Sequence, residues 1–290
     1  MNSSTWQSYA SISLFVFIWG ISGIITKIAL GDISTFPLLL IRFGAAIILL
    51  LIICLISKTP FIPKSGQRQF IALTGLVLIG CYTTSFFLSM EFGLTPGLLA
   101  TILGVQPILT LLLSERHFPP MRLLGLLVAF IGLTMVVSRS MMQTEISIFG
   151  ILFALLGLAS ITIGTLMQKR IQLPPHEILP LQYCSAMILF AIILPFMPIR
   201  LEINPISMGS AIWLGLIVSV VAQLLLYRLI AAGNLVNVTS LFYLVPIVTA
   251  LFDYLILDNS MPLITMLGLA TILIGLAIVL HSAKRTVIIK

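Results

Sequence analysis

Apolar residues along this chain follow neither the period of a strand nor that of an amphipathic helix; they come in long blocks. A helix that crosses a bilayer needs about 20 largely apolar residues. Ten blocks of that size can be marked, at 10–29, 36–57, 69–90, 96–114, 121–138, 147–168, 178–198, 208–231, 236–256 and 262–281. What separates them is short. KTPFIPKSGQR, SERHFPPMR, SRSMMQTE, KRIQLPPHE and RLEINPIS hold most of the charge, and none is long enough to fold into a soluble domain. The pattern predicts an all-α integral membrane protein with ten transmembrane helices.

Composition sharpens this. The 290 residues are 60% hydrophobic and only 8% charged, with 15 Lys+Arg and 8 Asp+Glu, against about 25% charged in ordinary soluble domains. So few charges cannot clothe a water-facing surface of this size, which excludes a soluble enzyme. Collagen-like and disordered chains are excluded by the same want of polarity. A mean hydropathy of +1.22 agrees. The net charge of +7 would point to nucleic acid in a soluble protein, but its distribution points to topology. With the N-terminus in the cytoplasm, the inner loops and tail hold Lys58, Lys64, Arg68, Arg116, Arg122, Lys169, Arg170, Lys284, Arg285 and Lys290. Only Arg139 and Arg200 fall outside, and Lys27, Arg42 and Arg228 lie within helices. The positive-inside rule then predicts a multi-pass protein of the cytoplasmic (inner) membrane with both termini cytoplasmic, touching the lipid bilayer and no nucleic acid. Cys54, Cys81 and Cys184 are scattered through apolar runs and read as small buried hydrophobes, with no disulfide, metal or cofactor expected. The opening MNSSTWQSYA lacks Lys and Arg, and no small-residue cleavage site follows the first apolar run, so that run is expected to stay as a spanning helix.

The chain also repeats itself. GLLVAFIGLTMVV (125–137) aligns with GLATILIGLAIVL (268–280). Upstream, Gly75-Leu76 matches Gly215-Leu216, Gly93 matches Gly233, and Pro107 pairs with Pro246, at offsets of 139 to 140. Glu115 and Asp258 stand ten residues before Gly125 and Gly268. The repeats are read as 1–143 and 144–290, one membrane domain overall. Five spans is an odd number, so the two copies must run in opposite senses. Such inverted-topology repeats are common in secondary transporters, which bind solute near the midplane between the repeats.

On these residues the chain resembles the drug/metabolite transporter (DMT) superfamily, specifically its EamA-type ten-helix members. The resemblance covers nearly the whole chain. It is carried by Trp19-Gly20 and Lys27 in the first span, Arg42 in IRFGAA, and Gly93 with TPGLLATILGVQP. Glu115 at the end of the fourth span and LLYRLIAAGNLVNVTSLFYLVPIVTAL complete it. The resemblance implies a transporter of small metabolites, often an exporter of amino acids or related compounds. In two respects the chain departs from the family pattern: Asp258 stands where members often have Glu, and the fourth helix ends early.

Ionisable groups inside a span are functional candidates, since each costs a few kcal/mol to insert. Lys27 and Arg42 lie toward the outer face. They either snorkel to the interface or join Asp253, near the outer end of the ninth span, as a charged gating or coupling group. Arg228 reads as an inner anchor, and Glu115 and Asp258 as groups that fix helix ends. Polar residues mark helix faces that could line a substrate cavity: Trp19, Ser22 and Thr26 in the first span, Tyr82 in the third, Gln106 in the fourth and Gln168 in the sixth. In the eighth, Gln223 and Tyr227 continue a four-residue spacing from Ser219; Tyr243 lies in the ninth. The alternative for each is an interhelical hydrogen bond worth about 0.6 kcal/mol. Pro107 and Pro246 are helix hinges, because proline frees a carbonyl that either lines a cavity or is met by a neighbouring helix. Gly125, Gly132, Gly268 and Gly275 are expected to pack the fifth helix on the tenth.

The sequence therefore predicts a secondary transporter that moves a small-molecule solute by alternating access, as a monomer or weak homodimer. Amino acids or related neutral and zwitterionic solutes, which suit a cavity of Trp, Tyr, Gln and Ser, would be exported. Proton-coupled efflux of lipophilic cationic drugs is the alternative, with Asp253 as its carboxylate. No enzyme is expected, since His117, His176 and His281 are dispersed and no HExxH, GxSxG or ATP-binding loop occurs.

Overall fold

The computed structural model describes residues 3–63, 66–141, 148–256 and 262–288, with side chains left aside at 3–9, 139–141, 253–256 and 283–288. It contains ten helices long and apolar enough to cross a membrane: α1 Ala10–Asp32, α2 Thr35–Ser57, α3 Arg68–Glu91, α4 Pro96–Ser114, α5 Pro120–Ser138, α6 Ile148–Arg170, α7 Pro175–Phe196, α8 Pro205–Ala232, α9 Leu235–Phe252 and α10 Leu263–Ser282. Among the described residues there is no strand, only one isolated antiparallel bridge between Ile33 and Leu201. The sequence expectation of an all-α, ten-helix membrane protein holds.

Four of these helices are irregular in mid-course, and the irregularities recur in register. α3 widens into a π-helix at Leu76–Cys81, and α8 does so at Leu214–Ala222. α4 is interrupted between Leu103 and Gln106, and α9 tightens to 3₁₀ at Leu241–Leu244. Each interruption lies just before a proline, Pro107 or Pro246, whose missing N–H cannot continue the ladder. π-turns inside α-helices are rare and concentrate at functional sites.

The chain forms two compact units, neither of which coincides with one half of the sequence. The first comprises Met1–Thr84 and Ile163–Ala232, the second Ser85–Thr162 and Gly233–Lys290. The first thus holds α1, α2, α7, α8 and parts of α3 and α6; the second holds α4, α5, α9, α10 and the rest of α3 and α6. In the first unit, the α1–α2 turn is stitched to the α7–α8 connection. Ser34 N donates to Arg200 O (2.8 Å), Glu202 N to Asp32 O (3.1 Å), and Arg200 Nη2 to Leu30 O (3.0 Å). The second unit is built around α5 against α10. A Cβ on Gly125 would lie 2.8 Å from Gly275 O, and one on Gly132 2.7 Å from Gly268 O. Backbones in such contact leave room for nothing larger than glycine.

Helix ends follow local chemistry. The Asn204 side chain accepts from Ile206 N (2.9 Å) ahead of Pro205, which needs no donor at the first helical position. α3 ends at Gly93, with φ +90°. Leu94 N donates back to Ser89 O at 3.0 Å, closing a Schellman-type turn. A Cβ on Gly93 would meet nothing within 4 Å, so only the backbone conformation demands glycine there. Gly93→Ala is expected to cost about 1–2 kcal/mol, seen as a lower thermal midpoint in detergent. A midpoint equal to wild type would show that this turn relaxes freely.

Candidate functional site

In the first unit, α7 and α8 carry a connected belt of polar side chains. On α8 the four-residue spacing puts Ser219, Gln223 and Tyr227 on one face. The Tyr227 hydroxyl donates to Gln182 Oε1 (2.7 Å), and Gln182 Nε2 donates to Gln168 Oε1 on α6 (2.9 Å). Gln223 hydrogen-bonds Tyr227 from one turn away. Next to Gln182, Tyr183 donates its hydroxyl to the carbonyl oxygen of Ser219. Tyr183, Tyr227, Gln168, Gln182 and Ser219 are all buried. The structure thus joins the expected Gln168 and Tyr227 through Gln182, with Gln223 reaching Tyr227 and Tyr183 beside Gln182.

Arg42 meets this belt from α2. Its Nε donates to Ser219 Oγ at 2.8 Å, and its guanidinium lies 5.2 Å from the centroid of the Phe43 ring. Ser219 is near the middle of α8, so the guanidinium reaches inward instead of snorkelling to an end. Phe43 is itself held edge-on by Tyr183, with ring centroids 4.9 Å apart. The backbone beneath is tight: a Cβ on Gly215 would lie 2.4 Å from Arg42 O. The same contact recurs in the other half, where a Cβ on Gly75 would lie 2.3 Å from the Gln182 Cα. Gly75 and Gly215 stand 140 residues apart, as do Arg42 and Gln182, and Phe43 and Tyr183. Two helix crossings of one design therefore present different polar groups, a guanidinium in the first half and an amide in the second.

In the second unit the two interrupted helices meet. The Tyr243 hydroxyl, from the 3₁₀ turn of α9, donates to Gly104 O at the break in α4 (2.5 Å). Ile108 N and Leu109 N both turn to Val105 O, at 3.0 and 3.1 Å. The carbonyl left over before Pro107 is thus met by a neighbouring helix. Gln106 is buried beside it.

A second polar cluster sits at the helix ends. Arg122, only 3% exposed, gives Nη1 to both oxygens of Glu115 (2.6 and 2.8 Å). Its Nη2 goes to Asn234 Oδ1 (2.5 Å) and Asn237 Oδ1 (2.7 Å). Asn234 Nδ2 returns to Glu115 Oε1 at 2.9 Å, and its Oδ1 also caps α9 through Val236 N. One arginine therefore ties the end of α4, the start of α5 and the start of α9. In the first unit, Lys169 Nζ closes the end of α8 by donating to Ile230 O (2.6 Å) and Ala231 O (3.0 Å).

Of the remaining expected residues, Tyr82 on α3 lies close enough to Arg42 to interact with its charge. On α1, the Ser22 hydroxyl donates to Trp19 O (2.6 Å) within its own helix, and the Trp19 ring lies 5.2 Å from that of Phe15. Trp19, Thr26 and Tyr82 are half-buried, while Lys27 and Arg228 are exposed. The Asp253 side chain and all of Asp258 lie outside the described residues. No group of three metal-ligating side chains occurs among the described residues. Gln182, Tyr183 and Arg122 were missed from sequence. The offset of 140 that relates the glycines would have led from Arg42 to Gln182.

Comparison with known proteins is consistent with this architecture. Residues 7–138 and 148–281 each match the EamA-like transporter family, one match per sequence repeat. An uncharacterized transporter of Archaeoglobus fulgidus is 25% identical over 283 residues, covering 92% of this chain and 94% of its own. A protein of known crystal structure shares the fold, with TM-score 0.82 at 14% identity over 99% of both chains.

Proposed function

The chain belongs to the EamA-like transporter family, and from that premise we propose that it is a secondary transporter of amino acids or related neutral and zwitterionic solutes. It acts as a carrier and not as an enzyme. It works by alternating access in the cytoplasmic membrane, in the direction of export, with both termini inside.

The observation that carries the solute class is the belt of Arg42, Ser219, Tyr183, Gln182, Gln168 and Tyr227. It offers neutral donors and acceptors plus one cation within the spans. Expelling a lipophilic cation calls instead for a buried carboxylate. Among the described side chains the acids lie at helix ends or in connections: Asp32 accepts from Ser207, Glu115 from Arg122, and Glu91, Glu177 and Glu202 are terminal or in a loop. Asp253 is the remaining group for a coupling role.

The test is expression of the full chain in a sensitive host challenged with toxic amino-acid analogues and, separately, with tetraphenylphosphonium. Raised tolerance to one or more analogues is expected, and Asp253→Asn should preserve it. Unaltered tolerance to every analogue would count against the export of amino acids. Tolerance to tetraphenylphosphonium alone, lost in Asp253→Asn, would establish proton-coupled cation efflux instead.

A further inference from the structure

We infer that Arg42 is an anion-binding group of the transport site, and that the solute carries a carboxylate which the two terminal nitrogens of its guanidinium receive. The inference rests on the transporter reading above and narrows its substrate class.

Two arginines on the helices, Arg122 buried and Arg42 half-buried, stand in very different company. Around Arg122 both terminal nitrogens are taken, by Glu115 on one side and by Asn234 and Asn237 on the other. That arrangement is closed and needs no ligand. The hydrogen bond to Arg42 uses its Nε, with the neutral hydroxyl of Ser219, and its other neighbours are the neutral side chains of Phe43, Tyr82 and Tyr183. Among the described residues no carboxylate forms an ion pair with it, since the ion pair they contain is Arg122–Glu115. A cation inside a span costs about 2.5–3.5 kcal/mol on insertion scales, and neutral neighbours, a hydroxyl, a ring and two phenols, offset only part of that. A guanidinium anchored by Nε still presents Nη1 and Nη2 as a planar fork, the geometry that binds a carboxylate through two parallel hydrogen bonds.

The internal repeat supplies the control. Gln182 occupies the station equivalent to Arg42 at an equivalent glycine crossing, yet its amide is used on both sides, by Tyr227 and by Gln168. One of two related positions is saturated by protein, and the charged one is not. The setting of Arg42 is also rigid. Gly215 locks its backbone, Tyr183 pins the Ser219 carbonyl, and Phe43 lies between Tyr183 and Phe190.

The experiment compares solutes that differ only in the carboxylate. Full-length protein in liposomes is given labelled L-phenylalanine, L-leucine and L-threonine, and the amide of each, which keeps the ammonium and the side chain. At least one acid should cross about tenfold faster than its amide, because only the acid pairs with the fork. Arg42→Lys, which keeps the charge but not the fork, should lower that rate about tenfold. Ser219→Ala, which frees the Nε anchor, should raise KM for the acid. An amide carried as fast as its acid by the wild type, a comparison that needs no variant, would overturn the carboxylate role and leave the transporter reading intact. So would Arg42→Lys carrying the acid at the wild-type rate. If well-folded wild type carries none of the six probes, amino-acid transport itself fails, and the role of Arg42 falls with it.

Discussion

Arg122→Ala is expected to loosen the second unit at the ends of α4 and α9, with a loss of about 3–5 kcal/mol if the site behaves as a buried ion pair. The substitution removes the cation from a carboxylate and two amide oxygens at once, although Asn234 Oδ1 keeps the backbone N–H of Val236. Glu115 keeps only Asn234 Nδ2, and Asn234 and Asn237 lose the cation that holds both their oxygens. Glu115 is 18% exposed, so water takes up part of the deficit and the lower end of that range applies. Arg122 Nε, buried without an acceptor, takes a little more away from what the arginine contributes. Arg122→Lys should be intermediate, since one ammonium cannot serve three acceptors spread along a planar fork. The measurement is the thermal midpoint of the protein in detergent for Arg122→Ala, Glu115→Gln and the double variant. Removing both charges should recover part of the loss, because an uncompensated buried charge costs more than an absent pair. Strictly additive losses would mean that the two residues do not act on one another.

This cluster also marks the limit of what the sequence disclosed. Ten apolar blocks were legible because a bilayer imposes length and polarity on every span, whatever it packs against. The glycines of α5 and α10 were legible for a related reason: small residues at helical spacing have one main use, close approach. Which way a helix is turned about its axis is not written in hydropathy. Arg122 counted as one more inner-face cation, since its burial depends on where the start of α9, over a hundred residues later, is placed. Arg42 was left between the interface and an outer gate, because its choice is made by Ser219 across the α2–α8 crossing. Gln182 and Tyr183 went unremarked inside LQYC, where no polar spacing announces them. Their place is visible only once α7 is laid against α3 at Gly75. The α8 face was the favourable case, since Ser219, Gln223 and Tyr227 state their periodicity within one helix.

Gly275→Val is expected to be as damaging as the loss of Arg122, by an opposite route: it adds atoms where none fit. A Cβ on Gly275 would lie 2.4 Å from Ala129 N and 2.6 Å from Gly125 O. These are backbone atoms on a neighbouring helix, so no rotamer change relieves the clash. α5 and α10 would have to separate along the whole seam, since Gly132 and Gly268 are matched in the same way further along. Overpacking commonly costs about 1–3 kcal/mol and more where the neighbour cannot yield. Gly44→Ala serves as the control, because a Cβ there meets nothing within 4 Å and alanine is the better helix former by about 1 kcal/mol. Thermal midpoints in detergent should fall steeply for Gly275→Val and hold or rise for Gly44→Ala. A Gly275→Val protein as stable as wild type would mean that α5 and α10 slide over one another without cost. The mechanical consequence is the stronger reason to measure it. Backbones in contact at four glycines admit no shift along the seam, because any slide brings a side chain to a glycine station. On the proposed alternating-access mechanism, movement within this unit would come from helices whose ladders are already broken, α4 beside Gly104 and α9 at Leu241–Leu244, with α5 and α10 as the fixed body they move against.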